Sequence, residues 1–336
     1  MNTLSSVLNR GIRSAVLASL LCVALADQCL AQAVKFGDSL GKLPAALMPQ
    51  PTHGLLLGAA RAGNRVVAVG DRGLVIYSDD DGKTYKQAKY VPTRATLTAV
   101  WAADARHVFA VGHWGVILAS LDAGETWSLQ RSDFKVDQPL LTVWFRDARH
   151  GVAAGLFSLL LVTQDGGTTW QPTHLPAPPG AKGDLNLYRL FPGAGDDVWI
   201  AAEQGMAYSS SDFGQTWHLH ITGAKGTLWA GVVLRDGSVV VGGVSGHVMR
   251  STDSGATWRE SDSGVKSSIT DLIELPSGSV LGVALNGVSL LSDDGGIVFK
   301  SRQLVDQRSL TAVAVTRTGS PLIFSQSGVV HESVIP

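Results

Sequence analysis

The sequence predicts an all-β protein: one seven-bladed β-propeller with four strands in each blade. Three observations lead to this prediction. A short aspartate-containing motif recurs every 41 to 47 residues, alternating apolar runs flank each copy, and 38 of the 336 residues are glycine. A repeat of about 40 to 45 residues that holds four short strands is the size of one propeller blade. Seven such units fit between residues 34 and 336.

The recurring motif has the form Ser-x-Asp-x-Gly-x-Thr-Trp and predicts a hairpin turn. Its aspartate can accept backbone N–H groups, its glycine can adopt a positive φ, and its aromatic residue can fold back over the turn. A repeated aspartate also suggests calcium binding or catalysis, but one catalytic site does not need six copies, so a structural role is favoured. We call these segments the aspartate turns; their aspartates are Asp80, Asp122, Asp165, Asp212, Asp253 and Asp294.

Each unit also has an apolar run that predicts the innermost strand of a blade. The seventh unit ends where its last hairpin would begin, so its outer strand is missing. We expect residues 34–40 to supply that strand and close the ring, because closure removes two exposed sheet edges. The predicted inner strands start at Leu55, Leu97, Leu140, Leu187, Leu228, Ile269 and Leu310.

Residues 1–33 are predicted to be a cleaved signal peptide. Arg10 and Arg13 precede an apolar stretch from Ser14 to Ala26, and Ala31-Gln32-Ala33 forms a small-x-small cleavage site, with Ala24-Leu25-Ala26 as the alternative. The apolar stretch is too short to span a bilayer comfortably, and no later segment approaches about 18 uninterrupted apolar residues. We therefore expect a periplasmic or secreted protein that does not itself span the membrane.

Composition and charge exclude several classes of function. Lys and Arg number 27 against 28 Asp and Glu, which removes the main electrostatic argument for nucleic-acid binding. Cys22 and Cys29 both precede the predicted cleavage site, so the mature chain would have no disulfide and no cysteine metal site. The sequence has no His-Glu-x-x-His, no phosphate loop and no Gly-x-Ser-x-Gly. We expect a monomer with no cofactor and no metal.

The turns between the second and third strands contain the first group of candidate binding residues. A glycine recurs in these turns while its neighbours vary, which is typical of a binding rim, although drift produces the same pattern. Trp114 is the only tryptophan at such a position, and an exposed tryptophan is a frequent anchor. The candidates are Asp71, Arg72, His113, Trp114, Glu203 and Gln204.

The connections that enter the inner strands contain the second group. Six of the seven carry a Lys or Arg within five residues of the strand start, which suggests a ring of positive charge; solvated loop residues are the alternative. In the usual propeller path these connections share one face with the turns just described, opposite the aspartate turns. We call it the turn face. The basic candidates are Arg94, Lys135, Lys182, Lys225, Lys266 and Arg308.

The motif resembles the Asp-box, or BNR repeat, of β-propellers, and the whole pattern is most similar to the photosystem II stability/assembly factor family. The similarity lies in the seven short units, the Gly-x-Thr-Trp hairpins, and an Ala-Val-Gly-x-x-Gly segment at Ala68–Gly73 and again at Ala110–Gly115. The resemblance implies a non-catalytic assembly factor that contacts a membrane protein through a basic patch. It implies the thylakoid lumen in a photosynthetic host, and an accessory role in an envelope or transport complex elsewhere.

The alternative is a sialidase-like or other glycan-binding or glycoside-hydrolysing propeller of the BNR type. Asp71 and Glu203 would be its paired carboxylates. Sialidases have an early Arg-Ile-Pro motif and six units, whereas this sequence lacks that motif and has seven units. We therefore predict no catalytic residues and favour the scaffold hypothesis.

Overall fold

The computed structural model describes residues 41–180 and 184–336, which contain 27 β-strands in seven antiparallel sheets. Six sheets have four strands and the last has three within these ranges. The predicted seven-bladed propeller is confirmed. The predicted signal peptide, the closing strand at residues 34–40 and Lys182 lie outside the described residues and stay predictions. Pro44–Pro336 form one unit, and the described Gly41–Leu43 belong to a separate one.

The strands follow one another around the ring in chain order. Blade 1 contains β1 Leu56–Ala62, β2 Arg65–Gly70, β3 Val75–Ser78 and β4 Lys86–Gln87. Blade 2 contains β5 Leu97–Ala102, β6 Val108–Gly112, β7 Ile117–Ser120 and β8 Ser128–Arg131. Blade 3 contains β9 Leu140–Phe145, β10 Gly151–Gly155, β11 Leu160–Thr163 and β12 Gln171–Pro172. Blade 4 contains β13 Leu187–Pro192, β14 Val198–Ala202, β15 Met206–Ser210 and β16 His218–Ile221.

The remaining blades repeat this order. Blade 5 contains β17 Leu228–Val233, β18 Val239–Gly243, β19 Val248–Ser251 and β20 Arg259–Ser261. Blade 6 contains β21 Ile269–Glu274, β22 Val280–Ala284, β23 Val288–Ser292 and β24 Lys300–Gln303. Blade 7 contains β25 Leu310–Val315, β26 Pro321–Ser325 and β27 Gly328–Val330. Short 3-10 turns lie at Pro51–His53, Asp71–Gly73, His113–Gly115, Glu203–Gly205, Val244–Gly246 and Leu285–Gly287.

The hydrophobic core is divided among the seven interfaces between neighbouring blades. Blades 2 and 3, for example, stack Phe109 on Phe145 with ring centroids 3.5 Å apart. The interface between the last and first blades is of the same kind, since Phe324 of blade 7 packs with Leu56 and Ile76 of blade 1. Each blade thus buries its apolar faces against two neighbours, and the described residues close the ring through this seventh interface.

Every inner strand has an irregularity at its second residue, where the register with the next strand shifts. Such a bulge bends a strand and redirects the side chains beside it. The antiparallel order also places the second-to-third strand turns with the connections entering the inner strands, at the end of each blade opposite the aspartate turns. No helix in the described part of the chain has the length and hydropathy needed to cross a membrane.

Candidate functional site

The turn face is built from tight turns that hold a non-glycine residue in the left-handed region. In each of blades 1 to 6 the turn has a backbone hydrogen bond across four residues and positive φ at its two central positions, as in a type I′ turn. The second central residue is glycine except in blade 3, where it is Ser158. The first central residues have φ between 52° and 59°; they are Arg72, Trp114, Phe157, Gln204, Ser245 and Asn286.

This conformation costs about 1 kcal/mol for a residue with a Cβ, and such strain persists only where surrounding contacts enforce it. The enforcing contacts come from the next blade. The Trp114 N–H donates to Asp137 Oδ1 at 2.7 Å, and His113 Nδ1 lies 3.0 Å from Asp137 Oδ2. The Phe157 N–H donates to Asn186 Oδ1 at 2.9 Å. Side chains from one blade therefore hold the turns of its neighbour in position.

The turns of blades 2 and 3 form the apolar sector of this face. Trp114 packs on Phe134 with ring centroids 6.4 Å apart, while Val136 and Phe157 are 59% and 58% exposed. The Asp133 N–H donates to the Trp114 carbonyl, which ties the loop to the turn. We call Trp114, Phe134, Val136 and Phe157 the aromatic patch. Only Trp114 was among the predicted site residues; aromatic residues at the same turn position of adjacent blades were the signal for Phe157.

The predicted acidic candidates are engaged in turn structure. Asp71 Oδ1 accepts the Arg72 N–H at 2.9 Å and the hydroxyl of Thr96 from the next blade at 2.8 Å. The two oxygens of Glu203 accept the backbone N–H and side-chain amide of Asn186 at 3.0 and 2.9 Å. Asp71 lies in blade 1 and Glu203 in blade 4, so two blades separate them along the ring. The structure does not bring them together as a pair.

Two other predicted residues of these turns are open to solvent. The Arg72 side chain is 85% exposed and its Nε lies 3.4 Å from Asp71 Oδ2. Gln204 is also exposed. Both side chains are accessible to a binding partner.

The predicted basic residues divide into two groups. Lys135, Lys225 and Lys266 are exposed and form no ion pair with any described residue. Arg94 donates from Nε to the Pro44 carbonyl at 2.9 Å. Arg308 is paired with two carboxylates, those of Asp306 and Glu332. Among the described candidates, only Arg308 has its charge balanced by carboxylates; Arg94 bonds to a neutral carbonyl and keeps its charge, as do the three exposed lysines.

The aspartate turns on the opposite face have a repeated geometry. In the first, Asp80 accepts the N–H and the hydroxyl of Thr84 at 2.9 and 2.6 Å, and the Ser78 hydroxyl at 2.8 Å. These hydrogen bonds lower the pKa of Asp80 from 3.8 to about 2. The other five turns use the same scheme, with Val298 instead of threonine in the last. No group of three or more His, Cys, Asp or Glu in the described residues is arranged to hold a metal ion.

Residues 121–222 match the family model described as photosynthesis system II assembly factor YCF48. The chain resembles the photosystem II assembly factors. This confirms the resemblance found in the sequence. No curated protein matches the chain significantly.

Solved structures of YCF48 have the same fold. One, described as YCF48 bound to D1 peptide, is 17% identical with a TM-score of 0.66, covering 85% of this chain and 97% of its own. YCF48 from Cyanidioschyzon merolae is 18% identical with a TM-score of 0.65, covering 84% and 95%. The WD40 propeller domain of Doa1 is 12% identical with a TM-score of 0.64, covering 86% and 94%. Propeller shape alone therefore does not distinguish YCF48 from other propellers.

The match to the YCF48 family model covers one sector of the ring. It runs from the aspartate turn of blade 2 to the end of the outer strand of blade 4, and so includes Phe134, Val136 and Phe157 of the aromatic patch. Lys135 and Glu203 also lie inside the matched range, whereas Arg72, Lys225 and Lys266 lie outside it. The matched sector thus contains three of the four residues of the aromatic patch.

Proposed function

We propose that this chain is a non-catalytic, exported scaffold that binds a segment of a membrane-protein partner during the assembly of a complex. The observation that carries the proposal is the match of residues 121–222 to the YCF48 assembly-factor model. The structural similarity to YCF48 bound to D1 peptide supports a polypeptide segment as the ligand. In a photosynthetic host the partner would belong to photosystem II, and elsewhere to an envelope or transport complex.

The turn face is the surface we assign to this partner. Two residues of its aromatic patch, Trp114 and Phe157, are on strained turns that neighbouring blades hold in place, and rigid aromatic anchors lose little entropy on binding. Lys135, next to Val136 in the same loop, and the more distant Lys225 and Lys266 add positive charge without local partners. These features suit a segment with an apolar anchor and acidic neighbours.

The glycosidase alternative would need a reactive group on the same face. Glu203 lies near Tyr188, as in a tyrosine–carboxylate pair. However, burial raises the pKa of Tyr188, and the negative charge of Glu203 raises it further, so the phenol is harder to ionise. Both Glu203 oxygens are already hydrogen-bonded to Asn186, and the guanidinium of the adjacent Arg189 pairs with Asp271. These contacts support a structural role for this group. Turnover of sialosides or other glycosides by the purified protein would contradict the proposal.

Site-specific photocrosslinking in the native envelope tests the assigned face. A photoreactive residue at Phe157 should capture a membrane protein, identified by mass spectrometry. The matched control is Leu121, which is 61% exposed but lies within the aspartate turn of blade 2, on the opposite face. Equal capture from both positions, or capture from position 121 alone, would place the interaction elsewhere. Sequencing of the mature N-terminus in the same preparation tests export; an uncleaved cytosolic chain would contradict it.

A charge series then tests the lysines with the captured partner or, in a photosynthetic host, the D1 peptide. Changing Lys135, Lys225 and Lys266 to Gln should slow association and reduce its dependence on salt, because surface charges mainly govern encounter. The matched variant changes Lys83, Lys86 and Lys300, which are exposed away from the turn face, and alters net charge equally. If both triple variants behave alike, the lysines act only through overall charge.

A further inference from the structure

The central channel of the propeller contains a cavity of about 480 Å³. Its lining comes from the inner strands of all seven blades. The lining residues run from about the third residue of these strands toward their last, so the cavity lies on the side of the channel near the aspartate turns. Its volume falls in the range of small-molecule sites, roughly 300 to 1,000 Å³. None of the predicted site residues contributes to it.

We call the end of the cavity near the aspartate turns its outer end and the opposite end its inner end. A buried ion pair lies at the inner end. Arg189, the third residue of β13, donates from Nη2 to Asp271 Oδ1 of β21 at 2.8 Å. Asp271 is 1% exposed, and its oxygens also accept the N–H groups of Leu272 and Val313 at 3.0 and 3.1 Å. Because three donors stabilise this carboxylate, Asp271 is held in place independently of any ligand.

Arg189 has donors left over. Its side chain is 28% exposed and lines the cavity, while its Nε is buried with no hydrogen-bond partner among the described residues. Among the described residues, Arg189 forms one ion pair, the Nη2 contact with Asp271. A hydrogen-bond acceptor in the cavity would therefore find an oriented guanidinium at the inner end.

The outer end of the cavity has an uncompensated positive charge. Arg61, the sixth residue of β1, is exposed and forms no hydrogen bond or ion pair with any other described residue. The acidic residue there, Glu274, accepts the Arg235 N–H at 3.0 Å and lies 3.4 Å from its Nε. Since Arg235 balances Glu274, Arg61 leaves the outer end with an excess of positive charge.

Between these ends the lining is mainly apolar. It includes Trp101, Phe191, Val232, Ile273 and Val315. The Trp101 indole N–H already donates to the Phe145 carbonyl at 2.7 Å, so the ring offers a ligand its apolar carbon surface. The cavity thus combines apolar walls with a cationic outer end and a hydrogen-bond donor at its inner end.

We propose that this cavity binds a small amphiphilic organic anion. The apolar body lies against the channel walls, its anionic group pairs with Arg61 at the outer end, and a neutral acceptor at the other end takes the unused donors of Arg189. An anion at the inner end would be repelled by Asp271, which fixes this orientation. The site is separate from the aromatic patch and does not depend on the proposed assembly function.

Titration with anilinonaphthalene sulfonate, an aromatic sulfonate that fluoresces in apolar sites, tests the proposal on the mature protein. We expect saturable binding that Arg61→Glu weakens by about tenfold, because an attractive charge becomes a repulsive one. Arg61 is exposed and unpaired among the described residues, so this substitution should leave the fold intact, which circular dichroism checks. The matched control is Arg149→Glu, an exposed change of equal charge in the first-to-second strand turn of blade 3.

Three results would overturn the proposal. They are the absence of saturable probe binding, equal weakening by Arg61→Glu and Arg149→Glu, and loss of the probe site in Phe157→Ala. The last would show that the probe occupies the aromatic patch instead. Loss of binding in Arg61→Glu alone would support the channel site, whatever the outcome of the crosslinking experiments.

Discussion

The hydroxyl of Thr311, in the last inner strand, donates to the carbonyl oxygen of Leu56, in the first, at 2.6 Å. The same contact joins blades elsewhere in the ring. Thr98 donates to the Leu140 carbonyl at 2.6 Å and Thr270 to the Leu310 carbonyl at 2.8 Å. The interface that closes the ring is therefore built with the same hydrogen bond as the internal interfaces.

Thr311→Val should lower the free energy of unfolding by about 1 kcal/mol, because the Leu56 carbonyl loses a donor while the side chain keeps its shape. Thr270→Val, at an internal interface, is the matched variant. Chemical denaturation of both measures the effect. If Thr270→Val lowers the free energy of unfolding and Thr311→Val does not, other contacts close the ring.

Asp271→Ala should be far more destabilising, by about 3 to 5 kcal/mol. It leaves Arg189 without its counter-charge and removes the acceptor for the Leu272 and Val313 N–H groups. Burial raises the pKa of Asp271 even though Arg189 opposes that shift, so the carboxylate depends on its donors to stay charged. Equilibrium urea denaturation measures the loss.

The equivalent residue of blade 3 suggests a rescue. Thr142 occupies the same strand position as Asp271, and its hydroxyl accepts the Leu190 N–H from the next blade at 2.8 Å. The double variant Arg189→Ala, Asp271→Thr removes both charges and keeps an acceptor for the Val313 N–H. It should therefore be more stable than Asp271→Ala alone. A double variant as unstable as the single one would show that the ion pair itself stabilises the channel.

The aspartate turns predict a stability loss in acid. Hydrogen bonds from Thr257 and Ser251 lower the pKa of Asp253 from 3.8 to about 2. A carboxyl whose pKa is depressed by folding stabilises the protein above its unfolded pKa, and this contribution disappears as the pH falls through the folded value. Asp253→Asn should thus melt below the parent at neutral pH, and the gap should close between pH 3.8 and about 2.

Melting temperatures across that pH range are the measurement for Asp253. Asp184→Asn, at an exposed aspartate outside the aspartate turns, is the control variant. A gap that persists at the lowest pH would mean that the Asn side chain perturbs the turn in some other way than through charge.

The sequence was sufficient for the fold because an aspartate turn marks the same position in each of blades 1 to 6. Six of the seven predicted inner strands begin at the observed residue, and the first begins at Leu56, one residue after the predicted Leu55. A turn that forms from its own eight residues does not depend on distant contacts, so its position can be read locally. Alternating apolar runs then determine which strands flank it.

The candidate sites depended on contacts that a linear pattern does not contain. Arg308 and Lys225 look equivalent in sequence, but Arg308 meets Asp306 and Glu332 whereas Lys225 is free of ion pairs within the described ranges. The Arg189–Asp271 pair joins blades 4 and 6, and the repeat offers no signal for which inner strands meet across the channel. Charge content could be predicted from the sequence, but charge compensation could not.

Two substitutions at Phe157 separate the effect of backbone strain on stability from the effect of the side chain on binding. Its φ of 55° suits glycine, and the residue is 58% exposed, so little packing is lost when the side chain is removed. Phe157→Ala keeps the backbone strain, whereas Phe157→Gly relieves it at the expense of a more flexible unfolded chain. Phe157→Gly should therefore be the more stable of the two by up to about 1 kcal/mol.

Both variants should bind the partner more weakly and dissociate faster than the parent, because both lack the aromatic anchor. Thermal denaturation and dissociation kinetics measure the two effects separately. Parent-like dissociation from both variants would remove Phe157 from the binding surface, and equal stability of the two would show that the turn stores no strain.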